Sequence, residues 1–198
     1  MIKVIDYNNL GGADHGWLKA RHHFSFASYQ DPNRVRFGPM RVINDDIVAP
    51  KKGFDPHPHD NMEIITYVRK GAITHKDDMG NEGKTGAGDV QVMSAGTGVV
   101  HSEYNLEDED TNLYQIWMFP NKKNVKPRWD AKKFPKEPVE GQLKPLVTGF
   151  DNNHSDSLKI HQDAVIYAGR VNKGKCVKQT IDRDQAYVLC SQGKIKIN

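Results

Sequence analysis

The chain is built from short apolar runs cut apart by tight-turn sequences, and it carries no helical period of any length. Residues 62–68 (MEIITYV), 89–93 (DVQVM), 113–119 (LYQIWMF), 164–168 (AVIYA) and 186–189 (AYVL) are rich in β-branched and aromatic side chains, as buried or half-buried strands are. Turn residues stand between them at 69–71 (RKG), 79–81 (MGN), 86–88 (GAG) and 172–174 (NKG); glycine and asparagine supply the backbone freedom that such reversals need. Short strands with frequent turns predict an all-β chain, folded as a sandwich or barrel rather than an open sheet.

At 198 residues the chain has room for one large domain or two small ones, with a real core in either case. Between Pro120 and Pro145 the composition shifts to prolines and lysines with few apolar residues. That stretch reads as an ordered but irregular connection. The expected division is residues 1–125, a linker over 126–145, and a second β-domain over 146–198.

The net charge of +3 is carried by scattered lysines. Nucleic-acid binders gather Lys and Arg into a patch interleaved with aromatics, so direct nucleic-acid binding is not expected. Neither a signal peptide at the N-terminus nor a run of about 18 apolar residues is present, so no membrane partner is expected and a cytoplasmic location is. Cys176 and Cys190 are too few for a disulfide framework; both are expected to be buried packing residues.

Two segments carry chemistry. The first is Phe54-Asp55-Pro56-His57-Pro58-His59, with Glu63 just downstream; the second is the glycine-rich 94–100 (SAGTGVV) leading into His101-Ser102-Glu103. Alternate residues of a strand share one face. His57 therefore points with His59, and His101 with Glu103. Two such pairs facing each other inside a barrel put three imidazoles and one carboxylate around one point. That set suits a divalent first-row metal with positions left open for water or substrate. The glycines before His101 permit the turn that returns the second pair to the first.

These segments resemble the paired motifs of the cupin superfamily, and within it the chain is similar to the pirin family, of the bacterial quercetin 2,3-dioxygenase type. Further residues that carry the resemblance are His22-His23-Phe24-Ser25-Phe26, the run 37–46 (FGPMRVINDD), Glu63 to Tyr67, His75-Lys76-Asp77-Asp78, Gly88 to Gln91, Met93 to Gly96, Gln115-Ile116-Trp117 and Lys126-Pro127-Arg128. The match is tight over about residues 15–130 and looser beyond. It implies a bicupin of two stacked jelly-roll barrels with the metal in the first, held by His57, His59, His101 and Glu103. Glu63 holds the position of a ligand in many other cupins and is expected here to be structural. The family pattern runs on past 193–198 (GKIKIN), so the second barrel is expected to be abbreviated or covered by a partner chain.

The resemblance implies two activities. One is a metal-dependent dioxygenase that cleaves flavonols such as quercetin with release of carbon monoxide. In it Glu103 is the catalytic proton acceptor as well as a ligand, and dioxygen is the second substrate. The alternative is a non-enzymatic, iron-binding, redox-sensing regulator of protein partners such as transcription factors. The chain's compactness favours the enzyme. Iron is the expected metal, but copper, nickel, manganese, cobalt and zinc suit the same ligands. A closed structural zinc site would use cysteines. His75 is expected to make a structural hydrogen bond, His22 and His23 to pack, and His15, His154 and His161 to face solvent. Met93 and Met118 are expected in the core, Phe54, Trp117 and Phe119 in the core or along the pocket, and the acidic run 107–110 in a solvated turn.

Overall fold

The structure, a computed structural model, describes residues 2–152 and 154–197. It is all-β apart from one 3₁₀ turn at Tyr7–Asn9. Fourteen strands follow in chain order: β1 (Gly11–Asp14), β2 (Leu18–His22), β3 (Met40–Val48), β4 (Lys52–His59), β5 (Glu63–Lys70), β6 (Ala72–Asp77), β7 (Glu82–Gly86), β8 (Val90–Ser94), β9 (Val99–Asn105), β10 (Thr111–Met118), β11 (Arg128–Lys132), β12 (Lys144–Gly149), β13 (Leu158–Ile160) and β14 (Val165–Ala168).

They form a seven-stranded sheet in the order β1-β2-β3-β10-β5-β8-β11, a four-stranded sheet β4-β9-β6-β7, and a three-stranded sheet β13-β12-β14. The first two face each other as a jelly roll. Val68, Ile73 and Leu113 pack together between them at one end, and Ile64, Met93, Ala95 and Val99 do so elsewhere. The opposite face of the large sheet packs on the third sheet: Ile43, Ile65, Val92 and Ile116 lie in one cluster with Leu146, Val147, Leu158 and Ile160.

β10 and β5 are central strands that read on alternate residues. Gln115 and Trp117 look into the jelly roll, while Tyr114, Ile116 and Met118 join the cluster against the third sheet. The two-residue period of a strand divides one run of sequence between two environments. This is why residues 113–119 carry no polar face: both faces are covered, as in a buried strand.

Four of the five apolar runs are strands. Residues 186–189 are not: among the described residues no strand runs beside them, so the backbone forms no ladder. Tyr187 and Leu189 instead lay their side chains against the large core cluster. Cys176 and Cys190, expected inside, are exposed, because this C-terminal stretch is not enclosed by paired strands. The connection over 126–145 contributes β11, which pairs with β8 and extends the large sheet. No helix among the described residues is long and apolar enough to cross a membrane.

Candidate metal centre

β4 and β9 run antiparallel with His57 opposite His101 and His59 opposite Val99. Pro56 and Pro58 flank His57 and have no N–H to give, which confines β4 to a sheet edge; it is one of the two edge strands of its sheet. A register shift between Phe54 and His57 marks a bulge of the kind that re-aims side chains beside functional sites. Gly96, at φ +50°, makes the turn before β9 in the left-handed region. A Cβ there would stand 2.0 Å from the Val125 carbonyl oxygen, so only glycine fits.

This arrangement brings three imidazoles together. The ring centroids of His57 and His101 are 4.5 Å apart, those of His57 and His59 4.9 Å, and those of His59 and His101 5.1 Å. One ligand nitrogen from each ring lies within 4.8 Å of the others. His57 Nδ1 is 2.7 Å from the Asp55 carbonyl oxygen; a carbonyl only accepts, so Nδ1 carries the proton and Nε2 keeps its lone pair. His101 Nε2 is buried with no hydrogen-bond partner among the described residues. A buried nitrogen left bare costs free energy, and a cation shared with the neighbouring rings would satisfy it. The donor set fits a metal: three imidazoles with a fourth side open.

The electrostatics hold the His59 and His101 rings neutral. Burial, with the His57 ring, pushes His59 down to about 4 against the pull of Asp60. Burial and the rings of His57, His59 and His75 push His101 down to about 3 against Asp77. Unprotonated imidazole is the form that binds metal.

Glu103 is on the same face of β9 as His101 and lines the same cavity, but its carboxylate lies outside the cluster of three nitrogens. Oε1 accepts from Thr66 Oγ1 at 3.1 Å and Gln91 Nε2 at 2.6 Å, and Oε2 accepts from Gln115 Nε2. Burial raises it to about 7, although those three donors pull it down. A carboxyl poised near neutrality can both take and return a proton.

The cavity beside the imidazoles has a volume of about 230 Å³, and Phe26, Phe54, Ile64 and Trp117 give it apolar walls. The Trp117 ring stands edge-on to His59 at 4.9 Å. Phe119 is 39% exposed and is not on the cavity wall. Glu63 points to the other side of β5, where its Oε2 accepts from Ser94 Oγ at 2.8 Å. His22 is buried and lines the cavity, with Nδ1 2.8 Å from Asn44 Oδ1, while His23 meets the Tyr187 hydroxyl at 2.9 Å. His154 faces solvent, His15 is exposed at the cavity mouth, and His161 stacks on Phe150. The acidic run ties to Lys51, Lys70 and Lys84 at the surface.

Reasoning from sequence did not find Thr66, Gln91, Gln115 or Asp46. The first three share a signal: each is the one uncharged, non-aromatic polar residue inside one of the apolar runs 62–68, 89–93 and 113–119, where a polar side chain must find a partner within the fold.

Residues 4–118 match the family model described as Pirin, and residues 148–198 the one described as Quercetinase C-terminal cupin domain. The chain is 50% identical over 199 residues to a pirin-like protein of Caulobacter vibrioides, covering 100% of this chain and 85% of that one. It is 42% identical over 200 residues to the quercetin 2,3-dioxygenase of Escherichia coli K12, covering 100% and 84%. Among solved structures it resembles the bacterial pirin YhhW of Escherichia coli in complex with nickel(II), with a TM-score of 0.75, 43% identity, and coverage of 81% of this chain and 68% of that one. The two-domain cupin architecture expected from the sequence agrees with these matches.

Proposed function

We propose, since the chain belongs to the pirin family of cupins, that it is a metal-dependent dioxygenase opening flavonols such as quercetin. The observation that carries this reading is the set of three imidazoles, with His101 Nε2 buried and bare, at the wall of an apolar, aromatic-lined cavity. The naming of a 42% identical relative as quercetin 2,3-dioxygenase supports the same substrate class. In the reaction the flavonol takes up both atoms of dioxygen, its central ring opens, and carbon monoxide leaves.

His57, His59 and His101 would hold the metal, with Glu103 from the same face of β9 as fourth ligand. A divalent metal there supplies a Lewis acid that lowers the pKa of a bound hydroxyl. Glu103 takes the proton of the flavonol 3-hydroxyl. Its carboxyl is held near neutrality by burial, and the donors Thr66, Gln91 and Gln115 steady the charged form. Phe54 and Trp117 flank the imidazoles and would hold the flat substrate between apolar faces while excluding water. The nickel complex of the related YhhW makes nickel a natural first metal to load; iron, copper, manganese, cobalt and zinc suit the same donors.

The test is aerobic quercetin consumption, followed by loss of its visible absorbance, on protein loaded in turn with each metal, with His101→Ala as control. Turnover that disappears in the variant is the expected result. Metal bound without turnover for every metal would overturn the flavonol reading and point to partner regulation.

A further inference from the structure

The cavity holds one buried acid that the proposed reaction leaves unused. Asp46 lies on β3, opposite Leu113 of β10 and Ala20 of β2, and lines the cavity with His22, Asn44 and Gln115. It is 2% exposed, and its Oδ1 is buried with no hydrogen-bond partner among the described residues. Its polar neighbours on that wall are paired: Asn44 with His22, and Gln115 with Glu103. An unsatisfied buried oxygen is a cost to folding, and the residues opposite Asp46 on both neighbouring strands, Leu113 and Ala20, are aliphatic. A polar group kept bare in a cavity fits a ligand that brings the missing partner.

We propose that Asp46 is a specificity-determining residue whose carboxyl pairs with a phenolic hydroxyl of the substrate; this rests on the flavonol reading. Asn44 lies opposite Gln115, the residue that holds Glu103, and Asp46 is the next residue on that face, about 7 Å further along the strand. The contact therefore falls on a ring hydroxyl other than the one offered to the imidazoles. Burial, helped by the charges of Asp45 and Glu103 and opposed by Arg69, raises the Asp46 carboxyl to about 8. A neutral carboxyl has both a donor and an acceptor and can hold a hydroxyl in either sense. A site built this way rejects an analogue that lacks the hydroxyl, because its own buried group is then left bare.

The experiment compares binding of quercetin and of 3-hydroxyflavone, which keeps the 3-hydroxyl and adjoining carbonyl but lacks the other ring hydroxyls. Nickel-loaded wild type, Asp46→Asn and Asp46→Leu are titrated without dioxygen, following tryptophan fluorescence. Wild type is expected to prefer quercetin by about tenfold or more. Asp46→Leu should lose that preference by weakening quercetin alone, with a melting temperature at or above wild type; Asp46→Asn should keep part of it. An unchanged preference in the folded variants overturns the role of Asp46 and leaves the flavonol reading standing. Failure of both variants to fold assigns Asp46 a structural role and likewise overturns it. A wild type that binds neither flavonol overturns the flavonol reading and this inference together.

Discussion

His75 Nδ1 stands 3.4 Å from His101 Nδ1, while its other nitrogen, Nε2, lies 3.0 Å from Asp77 Oδ2. Burial pushes the Asp77 carboxyl up, but His75 and Asn81 outweigh it and hold the group below its usual range, so it is an ionised acceptor. His75 must then donate from Nε2. Burial keeps that ring neutral against the pull of Asp77, which leaves its Nδ1 as an acceptor. His101 donates to it from Nδ1 and turns a bare Nε2 toward His57 and His59. A carboxylate that holds one imidazole thus fixes the tautomer of the next.

Replacing His75 with Phe keeps a ring against Trp129, which stacks on it at 4.9 Å and 8°, but removes the acceptor. Nickel affinity should fall by about 10–100-fold in chelator competition. Imidazole nitrogen NMR of the metal-free variant should show His101 as a tautomer mixture. Wild-type affinity together with a single tautomer would show that His101 is fixed by something else.

Glu103→Gln keeps the shape of the side chain but cannot take a proton. Under the proposed mechanism quercetin turnover should drop by about 10²–10⁴-fold, while nickel binding survives on the three imidazoles. Stopped-flow turnover alongside metal analysis checks both. Undiminished turnover would remove Glu103 from the proton step.

Ile65 has no exposed surface and packs between the large sheet and the C-terminal sheet. Ile65→Ala should lower stability by about 2–5 kcal/mol, read as a drop in the urea midpoint with unchanged slope. A loss well under 1 kcal/mol would mean that the seam closes around the cavity.

His23 is 7% exposed, and burial, with Arg34 and His22, lowers its pKa from 6.5 to about 4. Between those values the unfolded chain binds more protons than the folded one, so the contribution present above 6.5 is lost as pH falls toward 4. It amounts to on the order of 3 kcal/mol. His23→Gln should shrink the difference in unfolding free energy between pH about 7 and about 4.5. An equal difference in both proteins would assign the acid sensitivity to other groups.

The two pairs of candidate ligands were legible because a strand's two-residue period is simple: His57 and His59 share a face whatever the rest of the chain does, as do His101 and Glu103. Thr66, Gln91, Gln115 and Asp77 were not. They reach the site from strands whose order, β10-β5-β8 in one sheet and β9-β6 in the other, is a matter of topology. Spacing along the chain says nothing about which strands lie side by side. The exposed cysteines and the unpaired residues 186–189 show the same gap from the other direction. Apolar composition marks a segment as able to pair, and whether a partner lies beside it is decided elsewhere in the fold.

The two-sided reading of β10 limits how its length can change. A single residue inserted between Leu113 and Gln115 would move Gln115 to the face of Ile116, carrying an amide into the seam with the C-terminal sheet and taking a donor away from the Glu103 carboxylate. One such event would damage substrate chemistry and domain packing together. Relatives that differ in length near this strand should therefore carry their insertions and deletions in the flanking turns.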